Sequence, residues 1–86
     1  MQISVVIPVF NRPELLCRAL ESVARQTLSP YEIVVVDDGS SPPVDEKQSP
    51  IYPGIKIVRN ENNSGVATAR NRGIKCTSSE WIALLD

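Results

Sequence analysis

Two short runs, Ile3-Ser4-Val5-Val6-Ile7 and Ile33-Val34-Val35-Val36, constrain this chain more than anything else in it. Both are β-branched and nearly continuous in hydrophobicity, which suits strands covered on both faces. That is the setting of a parallel sheet rather than of a hairpin with one face turned to water. Between them, Pro13 to Gln26 places Leu16, Ala19, Leu20, Val23 and Ala24 at three- and four-residue spacing, the pattern of a helix with one apolar side. Asn11 with Glu14 three residues on predicts a capping box, and Pro13 suits the first turn because its missing N–H has no helical partner there. Strand, helix and strand in this order predict a right-handed βαβ unit.

The stretch from Gly39 to Gly54 holds Pro42, Pro43, Pro50 and Pro53. Proline lacks the donor that a central strand or helix interior needs, so this stretch reads as a long loop. Ile55-Lys56-Ile57-Val58 reads as a third strand. Asn63 or Ser64 is placed to cap a second helix from Gly65 to about Lys75, and Trp81-Ile82-Ala83-Leu84-Leu85 reads as a fourth strand that runs into Asp86. No repeat beyond this alternation and no low-complexity segment is present.

Composition removes several classes of function. Nine basic and ten acidic residues give a net charge of −1, so there is no basic excess to neutralise a phosphate backbone and nucleic-acid binding is not expected. The absence of histidine excludes His-based triads, His metal ligands and His general bases. Cys17 and Cys76 form neither a disulfide framework nor a zinc spacing, and read as buried thiols of a reducing compartment. No apolar stretch approaches the roughly 20 residues a membrane span needs. The expected location is cytoplasmic, or peripheral at the cytoplasmic membrane face as part of something larger.

Polar residues gather at one kind of place. Phe10 and Asn11 follow the first strand, Asp37-Asp38-Gly39-Ser40 follows the second, and Asp86 ends the fourth. In a parallel sheet these carboxyl ends open on one edge, where ligands bind beside the point at which strand order reverses. Asp-Gly-Ser is also ordinary turn chemistry, so a simple turn is the competing reading of Asp37 and Asp38. On a helical wheel Arg70 falls near the middle of an apolar side made by Val66, Ala67, Ala69 and Ile74. Either it meets a carboxylate or a ligand phosphate near the crevice, or its stem packs and its head reaches solvent. Gly73 inside this helix predicts close packing against the sheet.

Four segments together resemble the N-terminal half of family 2 glycosyltransferases: Ser4 to Arg12 (SVVIPVFNR), Ile33 to Ser40 (IVVVDDGS), Asn63-Ser64-Gly65 with Ala69 to Ile74 (ARNRGI), and Trp81 to Asp86 (WIALLD). The resemblance covers nearly the whole chain apart from the Pro-rich loop. It implies an α/β, partial GT-A (Rossmann-like) three-layer fold, with a mainly parallel sheet of four strands and two main helices. It further implies that residues 1–86 are the nucleotide-sugar-binding part of an inverting, metal-dependent transferase using a UDP-sugar donor. Pro8, Val9 and Phe10 would border the base, Asp38 would accept the uracil N3–H, and Arg70 would sit near the nucleotide or the acids around it. Asp37 would hold the turn. Asp86 corresponds to the first acid of the family's Asp-x-Asp motif, which holds the ribose and a Mn²⁺ or Mg²⁺ ion bridging the diphosphate. The second acid, the catalytic base and the acceptor site would lie beyond residue 86, so these 86 residues alone are not expected to transfer sugar.

The alternative is a non-catalytic nucleotide-binding or self-assembling module, in which an uncovered sheet edge pairs with another copy. A phosphoacceptor receiver fits less well, because its acid pair follows the first strand. A dinucleotide-binding unit fits less still, because no GxGxxG follows that strand.

Overall fold

The computed structural model describes residues 2–25, 30–45 and 55–85. The chain runs β1 (Ile3–Val9), α1 (Pro13–Ala24), β2 (Glu32–Asp37), β3 (Lys56–Arg59), α2 (Val66–Lys75) and β4 (Trp81–Leu84). The strands form one sheet in the order β3-β2-β1-β4, and every neighbouring pair is parallel. The continuous apolar runs thus become the two central strands.

Alternation along those strands sends side chains to two separate cores. Val5, Ile7 and Val9 of β1 join Ile33 and Val35 of β2 against Leu16, Leu20 and Val23 of α1. Val6, Val34 and Val36 point to the opposite face and pack against Ala69 of α2. Helix, sheet and helix therefore make three layers, the partial GT-A arrangement that the family resemblance implies.

Several local expectations shift. The expected capping box at α1 is absent: the residue at the N-cap is Arg12, with no side-chain cap hydrogen bond. Asn11 instead takes a left-handed conformation, φ 52°, which asparagine adopts more readily than most residues. Its N–H donates to Ser40 Oγ at 2.9 Å and its Oδ1 accepts from Ser41 N at 2.8 Å, so its polar groups serve the loop after β2. At α2 the N-cap is Gly65, not Asn63 or Ser64. Asn63 Oδ1 accepts from Gly65 N at 3.0 Å, while the Ser64 hydroxyl is turned to Asp38.

The buried side of α2 also differs from expectation. Ala69 and Gly73 are its buried residues, whereas Val66 is 53% and Ile74 36% exposed. Arg70 lies about 100° around the helix from Ala69, so it flanks this small-residue stripe, half-buried, rather than occupying its middle. The stripe exists because the helix sits hard on the sheet. A Cβ on Gly73 would lie 2.4 Å from Val6 Cγ1, the close packing expected from the sequence.

At the amino ends of the strands, Glu32 ties three segments together. Its Oε1 accepts from Ser4 Oγ at 2.7 Å and from Ser78 N at 2.8 Å. The hydrogen bonds from Ser78 and Ser4 hold its carboxyl below the ordinary carboxylate range. The expected Pro-rich loop is described as far as Asp45; Pro50, Pro53 and Gly54 lie outside the described residues, as does Gln26 at the expected end of the first helix.

Candidate functional site

The carboxyl ends of β1 and β2 open on the amino end of α2, and a cleft of about 350 Å³ lies there. Pro8, Val9 and Phe10 form one wall, Asn63, Gly65, Val66 and Ala69 another, and Asp38 the polar group between them. The volume falls in the range of small-molecule pockets. Phe10 is 41% exposed although it follows a largely buried strand, and Val66 turns its apolar side chain outward into the same space.

Each residue of the Asp37-Asp38-Gly39-Ser40 segment has a distinct structural task. Asp37 is completely buried. Its Oδ1 accepts from Ser40 N at 2.9 Å, and its Oδ2 accepts from Val44 N at 2.9 Å and from Arg59 Nη1 at 2.6 Å. Arg59 is its parallel-sheet neighbour on β3, so the ion pair is also a cross-strand pair. Burial pushes the Asp37 carboxyl up, but the hydrogen bonds from Val44, Ser40 and Arg59 outweigh it and leave the group below its ordinary range. Asp37 holds the turn, as expected, and is not among the residues that line this cleft. Gly39 has φ 86°, and a Cβ there would stand 2.9 Å from Asn63 N. Only glycine lets the β2 turn lie against the backbone leading into α2.

Asp38 faces the cleft and is also nearly buried, at 4% exposure. Its N–H donates to Val9 O at 2.9 Å, which pins the turn to the end of β1. Its Oδ1 accepts from Asn60 Nδ2 at 2.9 Å, Ser64 Oγ at 2.7 Å and Ser64 N at 3.0 Å. Its Oδ2 accepts from Gly65 N at 3.0 Å and shares the Ser64 N–H at 3.1 Å. Burial again pushes this carboxyl up, and the donors from Asn60, Ser64 and Gly65 outweigh it, so the group stays below its ordinary range. The positive end of α2 adds to the same effect. The result is an ionised, acceptor-only group in a cleft that an aromatic ring also lines, and a planar ligand offering an N–H would there share or displace one of the four donors its oxygens accept.

Of the site residues expected from sequence, Pro8, Val9, Phe10 and Asp38 line this one cleft. Arg70 follows Ala69, a lining residue, and flanks the buried stripe of α2. Asp86, expected to begin a metal motif, lies outside the described residues. Among the described residues no group of three or more His, Cys, Asp or Glu side chains could hold a metal ion. Arg59, Asn60 and Arg72, which secure the two aspartates, were not singled out from sequence. The signal that could have found Arg59 and Asn60 is their place at the carboxyl end of β3, the same edge that drew attention to Asp37 and Asp38.

In an open α/β sheet the crevice at the carboxyl ends of the strands is where ligands bind, and the cleft beside Asp38 lies at that edge. The profile for glycosyl transferase family 2 matches residues 4–86, and the chain belongs to that family. YwdF of Bacillus subtilis (strain 168), an uncharacterized glycosyltransferase, is 46% identical over 88 residues, covering 100% of this chain and 32% of that protein. The glycosyltransferase GlyG of Streptococcus pneumoniae serotype 4 is 33% identical over 87 residues, covering 98% of this chain and 29% of GlyG. The crystal structure of S. aureus TarS 1–349 superposes with a TM-score of 0.80 at 30% identity, over 100% of this chain and 27% of that one. The chain therefore spans 32% or less of each of these three proteins.

Proposed function

We propose that residues 1–86 form the donor-binding part of a glycosyltransferase that uses a UDP-sugar. The observation that carries the proposal is the pairing, in one cleft, of the exposed Phe10 ring with the ionised Asp38 carboxylate. A uracil ring stacks on the first and donates its N3–H to the second. Cytosine, whose N3 is an acceptor, meets a carboxylate there and is rejected. Pro8 and Val9 border the base, and Arg70 serves the diphosphate or the acids near it. Asp86 begins a metal motif whose Mn²⁺ or Mg²⁺ neutralises the leaving diphosphate. Metal dependence, inversion at the sugar carbon and a saccharide, lipid or other acceptor rest on the family resemblance. So does a location in the cytoplasm or at the cytoplasmic membrane face; among the described residues no helix is long and apolar enough to cross a membrane.

Calorimetric titration with UDP and CDP tests this reading. UDP binds more tightly, and Asp38→Ala removes the preference; equal affinity for the two nucleotides in the unsubstituted protein would overturn it.

A second reading is assembly through β4, an edge strand on which Trp81 is 58% and Leu84 46% exposed. A second copy is the occupant in this reading. Sedimentation across a hundredfold concentration range distinguishes them, since a monomer throughout removes the assembly reading.

A further inference from the structure

Asp38 is useful as a reader of a base only if its carboxylate is held in one place and one charge state, and the arrangement behind it does this through two residues that line no part of the cleft. Asn60, at the end of β3, is buried at 9% exposure. Its backbone N–H donates to Asp37 O at 2.8 Å, and its side-chain Nδ2 donates to Asp38 Oδ1 at 2.9 Å and to Ser64 Oγ at 3.2 Å. On its other side, Asn60 Oδ1 accepts from Arg72 Nη1. The same Arg72 nitrogen donates to the carbonyl of Arg59 at 3.0 Å.

The orientation of this amide follows from chemistry. A guanidinium carries donors and no acceptor, so the Asn60 atom facing Arg72 is the carbonyl oxygen. The NH₂ must then face Asp38. Without Arg72 the amide could turn and present its oxygen to a carboxylate, which repels it. With Arg72 in place the donor is locked toward Asp38 and polarised by a positive charge.

We propose that Asn60 and Arg72 are positioning residues for base recognition: Arg72 fixes the Asn60 amide, and Asn60 fixes the Asp38 carboxylate at the wall of the cleft. The inference rests on Asp38 being the base reader. The relay joins the end of β3 and α2 to the turn after β2, so base selectivity depends on residues from three elements.

The test measures the ratio of UDP to CDP affinity in the full-length protein for Asn60→Ala, Arg72→Met, the double variant and Asp38→Asn. A hydrogen bond to a charged group is worth about tenfold in affinity, so Asn60→Ala should lower the ratio by about that factor. Arg72→Met changes an exposed residue, leaves both cores untouched, and should lower the ratio in the same direction. The double variant should lower it no further than Asn60→Ala, because the two residues act in series. A merely structural role would weaken both nucleotides equally and leave the ratio where it was. If Asp38→Asn abolishes the preference while Asn60→Ala and Arg72→Met keep it, the relay is wrong and the base reading stands. If Asp38→Asn also keeps the preference, the base reading falls and the relay falls with it.

Discussion

Replacing Gly73 with alanine pits helix propensity against packing, and the structure decides the sign. Within a helix, alanine is favoured over glycine by about 1 kcal/mol. At this position the new methyl would lie 2.4 Å from Val6 Cγ1 and 2.9 Å from Val36 Cγ2. Both valines are fully buried on the two central strands, and valine is stiff about χ1, so neither can swing aside cheaply. Adding a methyl to a filled core costs about 1–3 kcal/mol. The net effect is a loss of up to about 2 kcal/mol, opposite in sign to propensity alone. With a urea dependence of about 1 kcal/mol per molar, the unfolding midpoint followed by far-UV circular dichroism should fall by up to about 2 M. Combining the change with Val6→Ala makes room for the methyl. Gly73→Ala should therefore cost less in the Val6→Ala background than alone. A Gly73→Ala chain that unfolds at higher urea than the parent would refute the close contact between α2 and the sheet.

Other outcomes follow from the polar ties. Asp37→Ala strands the Ser40 and Val44 N–H groups and the Arg59 guanidinium, and should cost about 2–4 kcal/mol in thermal unfolding. Gly39→Ala forces a side chain into φ 86° against the Asn63 backbone; it should destabilise by more than about 1 kcal/mol, and weaken UDP binding by displacing the turn that carries Asp38. Glu32, Asp37 and Asp38 all have lowered native pKa values. Their stabilisation is present above the ordinary carboxylate value near 4 and is lost as pH falls through the lower native values. Stability from these groups should thus be flat from neutral pH to about 5 and decline below about 4, with a shallower decline in Asp37→Asn.

The order and kind of every element among the described residues were legible because β-branched runs and a three-to-four spacing are local signals that tertiary packing reinforced. Gly73 was legible for the same reason, since a glycine inside a helix needs a close neighbour. Asn11 was misread because a capping motif is defined by spacing, whereas its left-handed backbone and its bonds to Ser40 and Ser41 depend on a loop about thirty residues away in sequence. The apolar side of α2 was misplaced because Val66 is apolar for the cleft, not for the core. Asp37 and Asp38 were separable by role only through the resemblance; the hydrogen bonds now give the physical basis, with one carboxylate turned inward to Arg59 and the other toward α2. Arg59, Asn60 and Arg72 stayed hidden because their function lies in a register between β2 and β3 and in the docking of α2, neither of which a single sequence displays.

The most direct measurement of the central claim is an NMR titration of the ¹⁵N-labelled protein with UDP, mapping the amide shifts. The account predicts that the shifts concentrate at Phe10, Asp38 and Ser64 to Val66, the rim of one cleft, while α1 and the Glu32–Ser78 end of the sheet stay still. Shifts scattered over the surface or centred at the opposite end of the strands would contradict it.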